Sequence, residues 1–344
     1  MLRKFSTTIL KVSMLALAIT VTAAAETIAP KPLSLPGGKS GIGFDDMGFA
    51  PSIRKVLVPA GRSGNLDLID PDTSQITAIG GFSRHSSFGG GHSQGVTSAD
   101  EGRELLLATD RDAKRLDVVD PTSRSVVAST PLASGPDYVR YVSTTGEVWV
   151  TEPGTSQIEV FSLPAKGTPK PIHLTFISIP GGPESLIIDN TRGRAYTHLW
   201  TGTTLAINLK THEVLSRWKN GCRSSRGIAM DNARGFLLVG CQEGKLSVLD
   251  LRNGTLLGQA SSGDGVDIIS YNPRLAHAYL PGEASGTMAI IGISEKGAAT
   301  VLATVKTAEG AHCVASDDRG NAYICDPHAG RLLIVKDSIS PSGK

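Results

Sequence analysis

The sequence predicts an all-β fold, a seven-bladed β-propeller built from four-stranded antiparallel blades. Three observations support this prediction. A phrase of strand-forming residues recurs along the chain, the repeats begin 41 to 49 residues apart, and helical periodicity is weak after the first 25 residues. Four-stranded units of this length, arranged around a channel, are typical of β-propellers.

Each repeat contains a short apolar run, an Asp or Asn, a glycine-containing turn and a second apolar run. This pattern occurs at 184–198, 226–240 and 312–325. A second phrase supplies the third strand, as in Leu66-Asp-Leu-Ile-Asp-Pro and Leu116-Asp-Val-Val-Asp-Pro. Short apolar runs bounded by Gly, Asn, Asp and Pro predict strands joined by turns. Each repeat therefore predicts one blade.

The last repeat contains only three predicted strands, and the N-terminus supplies a candidate for the fourth. Leu33-Ser-Leu-Pro-Gly-Gly is similar to Ile177-Ser-Ile-Pro-Gly-Gly in the third repeat. We therefore expect residues 33–36 to pair with the third strand of the last blade, around Arg331 to Val335. This pairing would cover two sheet edges and close the ring.

The first 25 residues have the pattern of a secretory signal peptide. Lys4 and Lys11 precede a short apolar run, and small residues end at Ala25, where we expect cleavage. The expected location is periplasmic or secreted. The expected organisation is a signal peptide at 1–25, a linker at 26–32, the propeller at 33–337 and a polar tail at 338–344.

The charge balance argues against a nucleic-acid partner. The first 25 residues hold three of the 34 basic residues and none of the 32 acidic ones, so the remainder is nearly neutral. Such a chain lacks a broad basic field. No later segment is long and apolar enough to predict stable membrane insertion. We expect a monomer whose partner is a small polar ligand or another exported protein.

Several phrases resemble the YVTN repeats of the exported YncE-like propeller family. They are Leu66-Asp-Leu-Ile-Asp-Pro, Gly244-Lys-Leu-Ser-Val-Leu-Asp and Arg226-Gly-Ile-Ala-Met-Asp-Asn. The resemblance covers residues 33–337 and implies the propeller fold. Similar blades occur in lactonases, in a metal-dependent antibiotic lyase and in proteins without an assigned activity. Fold alone therefore does not assign a function.

The resemblance also implies that ligands bind where the first strand of each blade begins, at one mouth of the channel. Aligned in this way, all seven positions are polar. The following residues are the candidate ligand-binding ring, in chain order: Asp45, Gln94, Asp137, Glu184, Arg226, Asp267 and His312. Trp200, in a loop between second and third strands, is a further candidate that could stack on a flat ligand or be buried in its blade.

Two interpretations of the ring remain open. As a site, the adjacent carboxylates of Asp137 and Glu184 would hold a divalent cation such as Ca²⁺ or Mg²⁺. His312 would be a general acid or base, and Arg226 would bind an anionic group. Alternatively, the ring is a polar network whose charges satisfy one another. The ring lacks the clustered His and Glu of the lyase and the Asn of lactonase-like metal sets.

Four cysteines are consistent with an oxidising compartment. Cys222 precedes the first strand of the fifth blade and Cys241 ends its second strand. Cys313 and Cys325 flank a turn at equal distances. We therefore predict the disulfides Cys222–Cys241 and Cys313–Cys325. Zinc is the competing interpretation, but no Cys-x-x-Cys spacing occurs.

The motif Gly91-His92-Ser93-Gln94-Gly95 matches the nucleophile elbow of α/β-hydrolases. That elbow requires a helix after the serine, whereas a turn and a strand pattern follow here. We interpret the motif as a glycine-rich loop entering the second blade. The predicted function is an exported binding or interaction module that uses the channel mouth. The alternative is a metal-assisted lactonase or lyase acting on a small polar substrate.

Overall fold

The computed structural model describes Met1 and residues 28–342. In this part of the chain, seven four-stranded antiparallel sheets follow one another, which confirms the predicted seven-bladed propeller. Two 3₁₀ turns, Gly38–Ser40 and Pro153–Thr155, are the helical elements described. No helix among the described residues is long and apolar enough to cross a membrane.

The strands have the following bounds. Blade 1 contains β2 (Gly48–Ala50), β3 (Lys55–Pro59), β4 (Asn65–Ile69) and β5 (Ile76–Gly80). Blade 2 contains β6 (Val96–Gly102), β7 (Leu105–Asp110), β8 (Arg115–Asp120) and β9 (Ser125–Pro131). Blade 3 contains β10 (Val139–Val142), β11 (Glu147–Glu152), β12 (Gln157–Ser162) and β13 (Ile172–Ser178). Blade 4 contains β14 (Ile187–Asp189), β15 (Arg194–Leu199), β16 (Thr203–Asn208) and β17 (Val214–Lys219).

The remaining blades continue the same order. Blade 5 contains β18 (Ser225–Asp231), β19 (Phe236–Cys241), β20 (Lys245–Asp250) and β21 (Leu256–Ser261). Blade 6 contains β22 (Ser270–Asn272), β23 (His277–Gly282), β24 (Thr287–Ile293) and β25 (Ala299–Lys306). Blade 7 contains β26 (Val314–Ser316), β27 (Asn321–Asp326), β28 (Arg331–Lys336) and the N-terminal strand β1 (Lys31–Ser34).

Burial along the strands shows where the core lies. The second strand β19 is buried at every position, because both of its faces pack against neighbouring blades. The outermost strand β17 instead alternates between half-buried and exposed residues, as expected of a sheet edge with one face in water. First strands of neighbouring blades contact one another, as β2 does with β6 and with β26. The first strands therefore surround the central axis.

The N-terminal strand closes the ring as predicted. β1 pairs antiparallel with β28, and Leu33 lies opposite Leu332. The strand begins at Lys31 and ends at Ser34, slightly earlier than the expected 33–36. Most of the predicted signal peptide and the start of the linker lie at residues 2–27, outside the described residues, so these two segments stay predictions.

One of the two predicted disulfides is formed. Cys222 and Cys241 are bonded, with Cα atoms 5.2 Å apart. Cys313 and Cys325 are free and buried, so the prediction of a second disulfide is wrong for this structure. The Cys325 Sγ is turned toward backbone amides. It accepts hydrogen bonds from the amides of His312 at 3.4 Å and Cys313 at 3.1 Å.

Candidate functional site

A cavity of about 450 Å³ lies at the mouth of the central channel. Six of the seven predicted ring residues line it, together with Trp200, in this order along the chain: Asp45, Asp137, Glu184, Trp200, Arg226, Asp267 and His312. Most ring positions lie two or three residues before a short first strand, and Arg226 is the second residue of β18. Since the first strands surround the axis and run in the same direction, their starting ends bring these side chains together.

Gln94 is the predicted ring residue that does not line the cavity. Its Oε1 accepts a hydrogen bond from the Gly89 amide at 3.1 Å, within its own loop. His92 occupies the place expected for Gln94. The loop before β6 contains left-handed glycines, including Gly95 with φ +67°, and this backbone path displaces the alignment. The sequence signal that points to His92 is its position within the glycine-rich motif.

Arg111 joins two ring carboxylates across neighbouring blades. This residue follows β7, and its Nη2 donates to Asp45 Oδ2 at 2.8 Å and to Asp137 Oδ1 at 2.5 Å. Its Nε donates to the Pro136 carbonyl at 2.8 Å, and its Nη1 to the His92 carbonyl at 2.9 Å. Each guanidinium nitrogen is therefore engaged, which holds this part of the cavity wall in one arrangement.

His92 and Asp45 form the charged pair of this wall. The His92 Nδ1 lies 2.9 Å from Asp45 Oδ2. The negative charge of Asp45 raises the pKa of His92 to about 9. Burial alone would raise the pKa of Asp45, but the positive charges of His92 and Arg111 lower it overall. At neutral pH both partners are charged and compensate each other.

Asp137 and Glu184 behave differently. Burial, followed by the negative charge of Asp45, raises the pKa of Asp137 to about 7. Burial and the charges of Asp137 and Asp267 raise the pKa of Glu184 well above its ordinary value. Asp137 therefore exchanges its proton close to neutral pH, and a protonated carboxyl can donate as well as accept hydrogen bonds. The Ca²⁺ or Mg²⁺ site at Asp137 and Glu184 stays a prediction.

Arg226 and Trp200 form the opposite wall. The Arg226 Cζ lies 4.8 Å from the centre of the Trp200 ring, in a cation–π contact. Its Nη2 donates to Gln242 Oε1 at 2.9 Å, and its Nε lies 3.7 Å from Glu184 Oε1. Trp200 is thus at the mouth rather than in the blade core, since 37% of its surface is exposed. The indole orients the guanidinium beside the cavity.

His312 is the last ring residue at the cavity. Its Nδ1 lies 2.7 Å from the Gly310 carbonyl and its Nε2 lies 2.9 Å from the Phe44 carbonyl. Carbonyl oxygens only accept hydrogen bonds, so both nitrogens are donors and the ring is an imidazolium. Both nitrogens are engaged with backbone in this arrangement. The general acid or base function predicted for His312 would require one of these hydrogen bonds to break.

The free cysteines lie next to His312. Ligand atoms of His312, Cys313 and Cys325 all lie within 4.8 Å of one another, and all three residues are buried. Among the described residues, this is the one group of three or more His, Cys, Asp or Glu side chains close enough to share a metal ion. The cluster borders the cavity through His312.

Comparison with solved structures supports the fold. No protein-family model matches the chain, and no curated protein matches its sequence. A chain in the crystal structure of the mitotic checkpoint complex aligns with TM-score 0.74 and 10% identity, over 97% of this chain and 99% of that chain. Hydrazine synthase from Kuenenia stuttgartiensis aligns with TM-score 0.69 and 11% identity, over 94% and 100%.

A third similar structure is itself a propeller. The β-propeller domain of Cps50 (Swd1) from Myceliophteria thermophila aligns with TM-score 0.68 and 12% identity, over 89% of this chain and 99% of that domain. At these identities the likeness concerns the fold alone. Function must therefore be argued from the side chains at the channel mouth.

Proposed function

We propose that this protein is an exported YncE-like propeller that binds a small polar ligand at the channel mouth. The observation that carries the proposal is the preorganised wall of the 450 Å³ cavity. Arg111 fixes Asp45 and Asp137 on one side, and Trp200 orients Arg226 on the other. Groups held before binding lose little conformational entropy when a ligand arrives.

The two walls favour a ligand with an anionic group and several hydroxyl groups. The Arg226 guanidinium suits a carboxylate or phosphate. The protonatable carboxyls of Asp137 and Glu184 suit hydroxyl groups, because a neutral carboxyl both donates and accepts. A sugar acid or hydroxy acid has this combination. A protein partner that presents an acidic side chain would use the same wall, and one of the similar structures is a protein complex.

Export is supported by the disulfide between Cys222 and Cys241, since such bonds persist in oxidising compartments. Cell fractionation of the native host would test this part of the proposal, together with the N-terminal sequence of the mature protein. We expect a mature chain that begins at Glu26. A full-length chain in the cytoplasm would contradict export.

A thermal-shift screen with small carboxylic and hydroxy acids would test ligand binding, since a ligand that prefers the folded state raises the melting midpoint. For a compound that stabilises the parent, Arg226→Ala should weaken binding by at least about tenfold, because a charged hydrogen bond contributes about 1.5–3 kcal/mol. Glu184→Gln keeps the shape of the side chain and tests its charge and proton.

Gln94→Ala supplies the matched control. Gln94 is polar and lies close in sequence to His92, but its side chain contacts its own loop rather than the cavity. This variant should bind the compound as the parent does. If the Arg226→Ala and Glu184→Gln variants both bind the compound as tightly as the parent does, the proposal is overturned. The metal-assisted lactonase or lyase stays a prediction, which metal analysis and a lactone hydrolysis assay would test.

A further inference from the structure

We propose that His312, Cys313 and Cys325 form a zinc site beneath the channel mouth. This inference goes beyond the proposed ligand binding and does not depend on it. The observation that carries it is the convergence of one nitrogen and two sulfur donors within 4.8 Å. Two thiols and an imidazole are donors that Zn²⁺ prefers in proteins.

The spacing of the donors fits a zinc ion. The Cys325 Sγ lies 3.9 Å from the His312 Nδ1. A tetrahedral zinc with bonds of about 2.3 Å to sulfur and about 2.0 Å to nitrogen places these atoms about 3.5 Å apart. A shift of a few tenths of an ångström in side-chain position therefore brings this sulfur and this nitrogen to the separation that zinc requires. The His312 Nδ1 would exchange its hydrogen bond to the Gly310 carbonyl for the metal.

The surroundings supply the outer contacts that zinc ligands usually have. The His312 Nε2 lies 2.9 Å from the Phe44 carbonyl, and a ligating histidine commonly donates its second N–H to such an oxygen. The amides of His312 and Cys313 donate to the Cys325 Sγ. These donors stabilise a thiolate, and they are in place without the metal. Metal binding would release the Cys313 thiol proton and a proton from His312.

Charge selects zinc over Cu⁺. Two thiolates and a neutral imidazole neutralise Zn²⁺, whereas with Cu⁺ they leave one uncompensated negative charge. All three residues are buried, and a net charge in a buried site is costly. His312 borders the cavity. We therefore expect zinc to enter through the cavity and the fourth zinc ligand to come from it.

Equilibrium dialysis of the reduced full-length protein against Zn²⁺ tests the site. We expect one zinc per chain, and none in the Cys313→Ser/Cys325→Ser variant. His312→Gln should lower zinc affinity by at least about tenfold, since even outer-shell substitutions cost that much. Cys222→Ser/Cys241→Ser is the matched control, because it removes the other two cysteines, and it should retain the zinc.

A measurement on the parent protein covers the case in which the serine variant fails to fold. X-ray absorption at the zinc edge should show two sulfur ligands and at least one nitrogen ligand. Four results would overturn the proposal: no zinc bound by the reduced parent, zinc retained by a folded double-serine variant, a Cys313–Cys325 disulfide in the isolated protein, or binding of Cu⁺ without Zn²⁺.

Discussion

Asp67 should make the stability of this protein fall as the pH rises from 4 to 8. It lies in β4, the third strand of blade 1, and has no exposed surface. Neither carboxylate oxygen has a hydrogen-bond partner within the described part of the chain. Burial raises the pKa of Asp67 from 3.8 to about 7, because an unpaired charge is unfavourable in the core.

The equivalent aspartate of blade 2 has the side-chain hydrogen-bond donors that Asp67 lacks. The corresponding residue of its third strand is Asp117, whose Oδ1 accepts hydrogen bonds from Ser129 at 2.5 Å and Arg115 at 2.6 Å. Asp117 lies opposite Ser129 on the outer strand, whereas Asp67 lies opposite Ala78. The repeat has therefore kept the acid in blade 1 without its hydroxyl donor.

The size of the effect follows from the two pKa values. A shift from 3.8 to about 7 corresponds to roughly 4 kcal/mol at about 1.36 kcal/mol per pKa unit. Because the folded-state pKa is raised, this stabilising contribution is fully present below pH 3.8. It is lost as the pH rises through about 7. The parent protein should therefore lose up to about 4 kcal/mol over this range from Asp67 alone.

Asp67→Asn keeps the shape of the side chain and removes the charge. Its free energy of unfolding, minus that of the parent, should rise by up to about 4 kcal/mol between pH 4 and pH 8. Urea unfolding at several pH values measures this difference, because the midpoint and slope report the stability. If the free energies of unfolding of the variant and the parent change in parallel with pH, the reasoning is refuted.

Two further variants sharpen the test. Ala78→Ser places a hydroxyl opposite Asp67, as in blade 2, and should reduce the pH dependence by lowering the pKa of the acid. Asp264→Asn removes the charge of an exposed aspartate and should leave the pH dependence of the parent intact. An equal change in the Asp264 variant would show that net charge, rather than burial of Asp67, causes the effect.

Three more outcomes are expected. Cys222→Ser/Cys241→Ser should lower the free energy of unfolding by about 3 kcal/mol, the value expected for a closed loop of this length. A parent-like denaturation curve would contradict this. Asp337 accepts hydrogen bonds from the buried His277 and from a tyrosine hydroxyl, so Asp337→Ala should cost about 3–5 kcal/mol in denaturant unfolding. Deletion of residues 26–37 removes β1 and exposes the β28 edge, which should cause aggregation or loss of cooperative melting. A monomeric truncated protein with an unchanged midpoint would exclude this role for β1.

The amino-acid sequence by itself determined the architecture. Strand alternation, turn residues and a repeat of 41 to 49 residues each involve residues of a single blade, which are close in sequence. These patterns can therefore be recognised in the amino-acid sequence. The similarity between the segment at Leu33 and the outer strand of the third blade predicted ring closure, which the pairing with β28 confirms. The disulfide Cys222–Cys241 was predictable because both residues lie at the same end of one blade.

The arrangement at the channel mouth was decided by the tertiary structure. Arg111 reaches both Asp45 and Asp137, which come from blades on either side of its own, and no local pattern encodes that contact. The glycine-rich loop places His92 rather than Gln94 at the cavity, because left-handed glycines change the backbone path. A repeat alignment assumes that this path is the same in every blade.

The cysteines of blade 7 also show which features the sequence determines and which the tertiary structure decides. Their positions on either side of a turn predicted proximity, which strand pairing provides. Whether they bond depends on side-chain direction, and the Cys325 sulfur turns toward the amides of His312 and Cys313. Short cysteine spacings along the chain do not reveal the three-donor cluster, since His312 and Cys313 meet Cys325 only across paired strands. Local periodicity sets the blades, whereas contacts between distant residues set the chemistry of the mouth.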